Sequence, residues 1–574
     1  MTRGLFSFFL SRLNWRRGLC LCLGMALILA CQGGKSHADQ PDLALSTDFR
    51  NLQERQYFLR IGIVEDSKAL RVVPDRGFLL HDQDGRVLYR GPAELPLLFT
   101  CLDPAPMPHV YYYELKSFRD SQRQQAEAFL AQARGKLDVS LHLMPDPRLD
   151  RAPLPNGKMP SPLPLAVVAG PYDSYKDAVA DNARIGRYYR ASLFRALPGR
   201  STTKIRVQDA FGKTLAESTA YMGVRCNDLG DLLRGGSVEG DRSKWAMPAF
   251  WQEDPAYHGI LEVWGNKKGQ LTLVNRVFIE DYLYGVVPPE IGNSVPFEMK
   301  KVQAVISRSV AIAKLRRNLH STWHYDLCAS SHCQTYEGAL AEDPICNAAV
   351  DATWGQVCVH EDIVINAVYS LCCGGVTANS EDAWQSVPSP YLRGRIDDLE
   401  GRLEPDFSHY ETAEKWVNTR PEVLCNPDLN PGLPEYAKGS FRWSRTYSAA
   451  DLRDHLSRHY QNIDKVTNIR IARRTRSGLI TKVLVDTVPR GTLSLADEMT
   501  VRSALGGLPS PFFTLEREFD ANHHLIRVTL KGAGEGHGVG LCQLGAISLI
   551  LKGKDYLTVL KHYYQDIDIY KIYQ

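Results

Sequence analysis

Glu290 stands out by what surrounds it: Val286, Val287, Pro288 and Pro289 precede it, and Ile291, Gly292 and a helix-like run from Pro296 follow. The two prolines fix φ and bias the residues before them towards extended backbone. The end of a strand-like run therefore carries the carboxylate on a constrained loop, where catalytic groups tend to sit. Val287, Pro288, Pro289, Ile291 and Val295 would exclude much of the water, which suits a group that both gives and takes a proton. A lone loop Glu is more often a solvated surface group, so its surroundings must decide.

Other residues could do chemistry too. His320, His324, Cys328, His332 and Cys333 form the densest metal-capable cluster. The spacing of His324, Cys328 and Cys333 offers three ligands to a tetrahedral ion such as zinc, with His332 or a water as the fourth. Adjacent His332 and Cys333 rarely ligate one ion together, and the cysteines could instead pair as disulfides. Cys372 and Cys373 precede Gly374 and Gly375. Neighbouring residues of a strand point to opposite faces, so two different partners are expected for the cysteines, and the glycines permit close approach of another chain segment. Glu381 is the candidate second acid of a cleft. Trp384 could stack on a sugar, although Trp is more commonly plain core. From Gly532 to Gly540 glycine takes every second position; if extended, one face is bare and Ala533, Glu535, His537 and Val539 line the other. A polymer or another backbone could lie against the bare face.

Several elements must position these groups. Met299, Val302, Ile306 and Ala313 recur at helical spacing after Pro296. Arg308 neighbours Ala304, Val305, Ala311 and Ile312 on that helix, so its guanidinium needs a carboxylate or glycan partner. Upstream, residues 259–263, 271–275 and 277–279 read as strands, with a turn at 266–269. Downstream, 447–510 reads as α+β scaffold, and 543–551 and 556–563 as helices. Near the N-terminus, 57–64, 69–73, 78–80 and 87–89 read as strands of a β-rich module.

Between them, 106–198 carries β-α-β twice, the pattern of a split-βαβ sheet. Its strand ending Val168-Ala-Gly-Pro-Tyr172, and less closely Leu115-Lys-Ser-Phe118, resembles the SPOR domain. The resemblance implies binding to peptidoglycan strands stripped of stem peptides; an α+β spacer without a ligand fits the same residues.

The whole chain sets bounds. Its 574 residues, 44% of them hydrophobic, can build several cores, and its formal charge of +3 lacks the basic footprint of a nucleic-acid binder. Arg3, Arg12, Arg16 and Arg17 precede an apolar run from Leu19 to Ala30 that is too short for a bilayer and reads as an export signal. Cleavage after Ser36-His-Ala38 competes with a lipobox-like Ile28-Leu-Ala-Cys31, which would place a lipid anchor at Cys31. Either way the expected location is outside the cytoplasm: periplasm, cell envelope or an outer-membrane lipoprotein. Ten cysteines follow the signal, eight of them after residue 320, and an oxidising compartment favours disulfides among them.

Seven motifs then occur in order: Tyr257-His-Gly-Ile-Leu-Glu-Val263, Asn275-Arg-Val277, Glu280-Asp-Tyr-Leu-Tyr-Gly-Val-Val-Pro-Pro-Glu290, Val302-Gln-Ala-Val-Ile-Ser-Arg308, Cys333-Gln-Thr-Tyr-Glu-Gly338, Gly374-Gly-Val-Thr-Ala-Asn-Ser-Glu381 and Gly536-His-Gly-Val-Gly-Leu-Cys-Gln-Leu-Gly-Ala546. Together they resemble the sporulation stage II protein D (SpoIID) family and the amidase enhancers that share its domain, over roughly 256–574. The resemblance implies a peptidoglycan lytic transglycosylase with Glu290 as its general acid/base. Supporting or substrate-binding places fall to Gln303, Arg308, Gln334, Tyr336, Gly375, Glu381, Trp384, His537 and Gln543, and a structural zinc to the His/Cys cluster. Where the family usually reads Ala-Ala-Arg-Thr-Tyr, this chain has Ile306-Ser-Arg-Ser-Val310. Cys372, Cys373 and Cys542 stand where small residues or Ser are usual.

The expectation is thus an α+β multidomain protein: signal 1–38, linker 39–55, β-rich module 56–105, SPOR-like module 106–198, connecting β region 199–255 and SpoIID-like domain 256–574. Its partners would be glycan strands and an N-acetylmuramoyl amidase. The alternative is a peptidoglycan-binding protein or amidase enhancer that does not cleave.

Overall fold

The computed structural model describes residues 58–573, except 104–109, 119–121, 146–164, 173, 190, 197–202, 229, 239–254, 266–269, 318–319, 321–323, 385 and 401–405. The signal with Cys31, the linker 39–55 and the turn at 266–269 lie outside the described residues. Alternating apolar positions build two sheets over one core. In the seven-stranded sheet Leu327–Cys328 is followed by Phe58–Ser67, Leu271–Phe278, Ile260–Gly265, Tyr221–Cys226, Phe78–His81 and Val87–Gly91. In the six-stranded sheet the order is Thr214–Thr219, Lys204–Gln208, Leu97–Asp103, Ala69–Pro74, Leu233–Ser237 and Ala256–Tyr257. Leu59, Ile61, Val72, Phe99, Val207, Leu261 and Leu273 share the core.

Segments expected as the separate stretches 56–105, 199–255 and 256 onward are therefore interleaved. Phe58–Ser67 runs antiparallel to Leu271–Phe278 and parallel to Leu327–Cys328. Alternation in sequence says which face of a strand is buried; it does not name the partner strand.

The inserted module has its own four-stranded antiparallel sheet, ordered Leu141–Pro145, Leu165–Tyr172, Val110–Phe118 and Ser192–Ala196. Its helices are Arg123–Arg134, Tyr175–Ala180 and Asn182–Gly186. This is the split-βαβ arrangement, packed around Tyr113, Leu137, Leu141, Ala169 and Ile185.

Next to the double sheet lies a helical layer. Phe297–Arg317 buries Met299, Val302 and Ile306 together with Ala304, Val305 and Ala311, so it is covered nearly all round. The run before the double proline is helical, not a strand: Ile279–Tyr284 ends at Gly285, and a second short helix covers Val287–Ile291. Pro288 and Pro289 fit that first turn because their missing amide hydrogens would have had no helical acceptor. Gln543–Leu551 and Tyr556–Tyr563 complete the layer.

A separate core joins two three-stranded sheets, Arg442–Ser448 with Leu525–Ala533 and Phe513–Phe519, and Ile463–Arg474 with Ile480–Pro489 and Gly491–Ala496. Among the described residues no helix is long and apolar enough to cross a membrane.

Candidate active site

Glu290 is half-buried in the short helix Val287–Ile291. The turn after it is pinned by Lys300, a buried side chain whose ammonium donates to the carbonyl oxygens of Asn293 (2.7 Å) and Gly292 (3.4 Å). Gly292 has φ 78°, which glycine adopts without a steric penalty. On the carboxylate, Oε1 accepts the Thr335 backbone N–H at 2.5 Å. The Tyr369 hydroxyl accepts from Gln334 Nε2 at 3.2 Å and stands close enough to feel the Glu290 charge. Burial, and then the Glu290 charge, push the Tyr369 phenol well above its ordinary range, so it stays a proton donor. Behind the backbone, Gln543 Nε2 donates to the Glu290 carbonyl and to Gln303 Oε1, both at 3.1 Å, and Gln303 donates to Ser307 Oγ at 3.0 Å. Gln543 thus bonds Glu290 directly and Gln303 stands behind it, while Gln334 bonds Tyr369. Thr335 and Tyr369 complete the setting, and neither was singled out from sequence. Thr335 acts through its backbone, and Tyr369 lies outside every quoted motif.

Other candidates lie elsewhere. Arg308 is fully buried and gripped by Glu280, with Nη2 2.6 Å and Nε 2.8 Å from its carboxylate oxygens, while Nη1 donates to the Gln356 carbonyl at 2.9 Å. Tyr573 and the Gly355 amide also donate to Glu280. Arg308's partner is therefore a carboxylate of the core. Tyr336 is buried too and donates to Asn275 Oδ1 at 2.8 Å. Glu381 is held by Arg393, whose Nη1 lies 2.9 Å from Oε1 and whose Nη2 bonds Oε2. Burial pushes this carboxyl up, but the Arg393 hydrogen bonds outweigh it and keep it below the usual range.

Trp384, 39% exposed, meets His537 edge-on at 5.2 Å between ring centres. His537 Nδ1 accepts the Val539 N–H at 3.0 Å, and burial pushes the imidazole down to about 4. The glycine run is not extended beyond Ala533: Gly534, Gly536, Gly538 and Gly540 have positive φ, so it winds through tight turns and has no bare strand face, but it does meet another backbone. Cys372 and Glu535 exchange two backbone hydrogen bonds of 3.1 and 2.8 Å, and a Cβ at Gly534 would lie 2.7 Å from the Cys372 carbonyl oxygen. Gly375 has φ 102° and faces Trp416 and Val423.

In the His/Cys cluster, the ligand atoms of His320, Cys328, His332 and Cys333 all lie within 4.8 Å of one another. His320 Nε2 is 3.1 Å from Cys333 Sγ, and His332 Nδ1 is 3.5 and 3.6 Å from the sulfurs of Cys328 and Cys333. A tetrahedral zinc would set sulfur–nitrogen edges of about 3.5 Å, so these four residues fit one. His324 is not among them: its ring stacks on Trp264 at 4.4 Å, and His320 takes its place. Ligand spacing along a loop did not reveal which histidine the turn brings back. Cys372 and Cys373 also differ from expectation. The strand stops at Ser370, and both thiols turn into one buried cluster with Cys425 and Cys542.

Residues 267–360, which contain Glu290, Thr335 and the His/Cys cluster, match the model of the stage II sporulation protein family. This segment is similar to the SpoIID domain. Residues 378–540 match a second model, described as a domain of unknown function (DUF8618). An uncharacterised protein of Brachyspira hyodysenteriae is 26% identical over 348 residues, 61% of this chain and 80% of its own length. The stage II sporulation protein D of Bacillus amyloliquefaciens is 24% identical over 52% of this chain and 75% of its own. The amidase enhancer of Bacillus subtilis is 25% identical over 49% of this chain, a match that spans 39% of the enhancer. The segment matched at 267–360 thus supplies Glu290 with its amide donor, while Gln543 reaches it from beyond both matched segments.

Proposed function

We propose that the protein acts on the cell wall as a peptidoglycan lytic transglycosylase, cleaving glycan that lacks stem peptides. The observation that carries this reading is the half-buried Glu290 carboxylate, fixed by the Thr335 N–H at 2.5 Å. Hydrolytic glycosidases usually place two carboxylates across the bond. Here the candidate second one, Glu381, is engaged by Arg393, which suits a mechanism with one. Protonated Glu290 gives its proton to the glycosidic oxygen as the bond to C1 of the muramic residue breaks. The resulting carboxylate then takes the proton of that residue's C6 hydroxyl as its oxygen bonds C1, closing a 1,6-anhydro ring and restoring the acid. Thr335 holds the carboxylate through both transfers, and Gln543 fixes the backbone beneath it.

Zinc in the site of His320, Cys328, His332 and Cys333 would be structural, tying the loop that presents Thr335 to the end of the long helix. The inserted split-βαβ module, SPOR-like in sequence, would add affinity for the same strands. An exported, envelope location follows from such a substrate.

The likeness to an amidase enhancer favours a second reading, in which the protein binds glycan and recruits an N-acetylmuramoyl amidase without cleaving. Mass spectrometry of denuded glycan after incubation separates the two. Products ending in 1,6-anhydro-muramic acid support the enzyme; retained but intact strands support the binding protein.

A further inference from the structure

Behind the Gln543 helix lies a second constellation that neither the proposed reaction nor the His/Cys cluster uses. Cys373, Cys425, Cys542 and Asp397 are each no more than 5% exposed, and their ligand atoms lie within 4.8 Å of one another. Cys373 Sγ is 3.7 Å from Cys425 Sγ and 3.3 Å from Asp397 Oδ2. A tetrahedral zinc with ordinary bond lengths sets sulfur–sulfur edges of about 3.8 Å and sulfur–oxygen edges of about 3.5 Å, whereas a disulfide draws its sulfurs to about 2.05 Å. The set has room for one ion; an iron–sulfur cluster would spread its thiolates farther.

The surroundings are those of a ligand shell. Cys542 Sγ accepts the backbone N–H groups of Cys373 (3.3 Å) and Gly545 (3.4 Å), the second from the first turn of the helix it caps. Asp397 Oδ1 accepts the Tyr563 hydroxyl at 2.8 Å, which leaves Oδ2 turned to the sulfurs. His562 Nε2 is buried without a hydrogen-bond partner and lies 3.9 Å from Asp397 Oδ1, at the limit of an ion pair. A buried carboxylate among thiols is stable when paired with a cation or protonated, and an ion bound at Oδ2 would pair it. Arg442, the nearby guanidinium, gives its hydrogen bonds to the carbonyls of Gly374, Trp416, Thr419 and Phe441.

We propose that Cys373, Cys425, Cys542 and Asp397 bind a second, structural zinc-class ion, with Cys372 as a further thiol beside it. Three soft thiolates and one carboxylate in a closed tetrahedral set select such an ion. It joins four separate chain segments directly behind Gln543, and so positions the amide that holds the Glu290 carbonyl.

The test uses the full chain, purified without added metal, with zinc counted by plasma mass spectrometry and disulfides located by peptide mapping. The expected wild-type content is two zinc ions per chain, with Cys328→Ser retaining one. In the Cys328→Ser chain, cobalt(II) should give tetrahedral bands with strong thiolate-to-cobalt charge transfer, and Asp397→Asn should shift those bands and weaken cobalt binding at least tenfold. A disulfide among these cysteines in the wild-type chain would overturn the proposal. So would loss of all zinc in Cys328→Ser, or a cobalt spectrum indifferent to Asp397→Asn. The wild-type measurements keep the proposal falsifiable even if a variant fails to fold. One ion in the wild type and one in Cys328→Ser would still support this site while removing the zinc assigned to the His/Cys cluster.

Discussion

At the scale of single residues, the buried groups divide into those that hold the core and those that face Glu290. Arg308 belongs to the first kind: with Glu280 it forms a fully buried pair, and Arg308→Ala would leave that carboxylate buried without its counter-charge. Breaking a buried pair from one side costs about 3–5 kcal/mol, so urea unfolding should show a loss of that order, while the folded fraction keeps its glycan affinity. Tyr369→Phe belongs to the second kind. It removes the hydroxyl that accepts from Gln334 Nε2 beside Glu290, which should slow anhydro-product release by about tenfold and shift the urea midpoint little. His537 makes a prediction in pH. Its imidazole is pushed down to about 4 when folded, against an ordinary value near 6.5. Between those values the unfolded chain holds the extra proton, so stability is full above about pH 6.5 and falls as pH drops towards 4. His537→Asn should remove that component from the difference between denaturant titrations at pH 7 and pH 4.5.

At the scale of elements, Gln543–Leu551 stands at the end of two constraints, Cys542 bonded to the Cys373 amide and Gln543 bonded to the Glu290 carbonyl. Gln543→Leu keeps the volume but leaves the carbonyl and the Gln303 amide oxygen without their donor. The catalytic rate should fall with little change in glycan affinity, read from kcat and KM on denuded strands. The helices at 543–551 and 556–563 and the strand 165–172 were legible in sequence because caps, periodicity and length agree over short range. Glu290 was legible as a constrained carboxylate, although its carrier is a helical turn. Tyr369, Thr335 and the substitution of His320 for His324 were not, because they depend on which loops return to the same point. The core role of Arg308 was half legible: the apolar neighbours demanded a partner, but only the fold placed Glu280 there.

At the scale of the molecule, the double sheet interleaves 58–103 with 203–278, so a truncation that begins at 256 would expose the Leu271–Phe278 edge that Phe58–Ser67 covers and should not fold. Removing 110–196 is different, because that module has its own sheet and core. Its deletion should weaken sedimentation with denuded sacculi several-fold while leaving the cleavage of short soluble glycan unchanged. The central claim, that Glu290 alone gives and takes the proton, is tested most directly by Glu290→Gln. With circular dichroism matching the wild type, mass spectrometry should show wild-type release of 1,6-anhydro-muramic ends and at least a thousandfold less from the variant. Undiminished anhydro products from Glu290→Gln would contradict the claim.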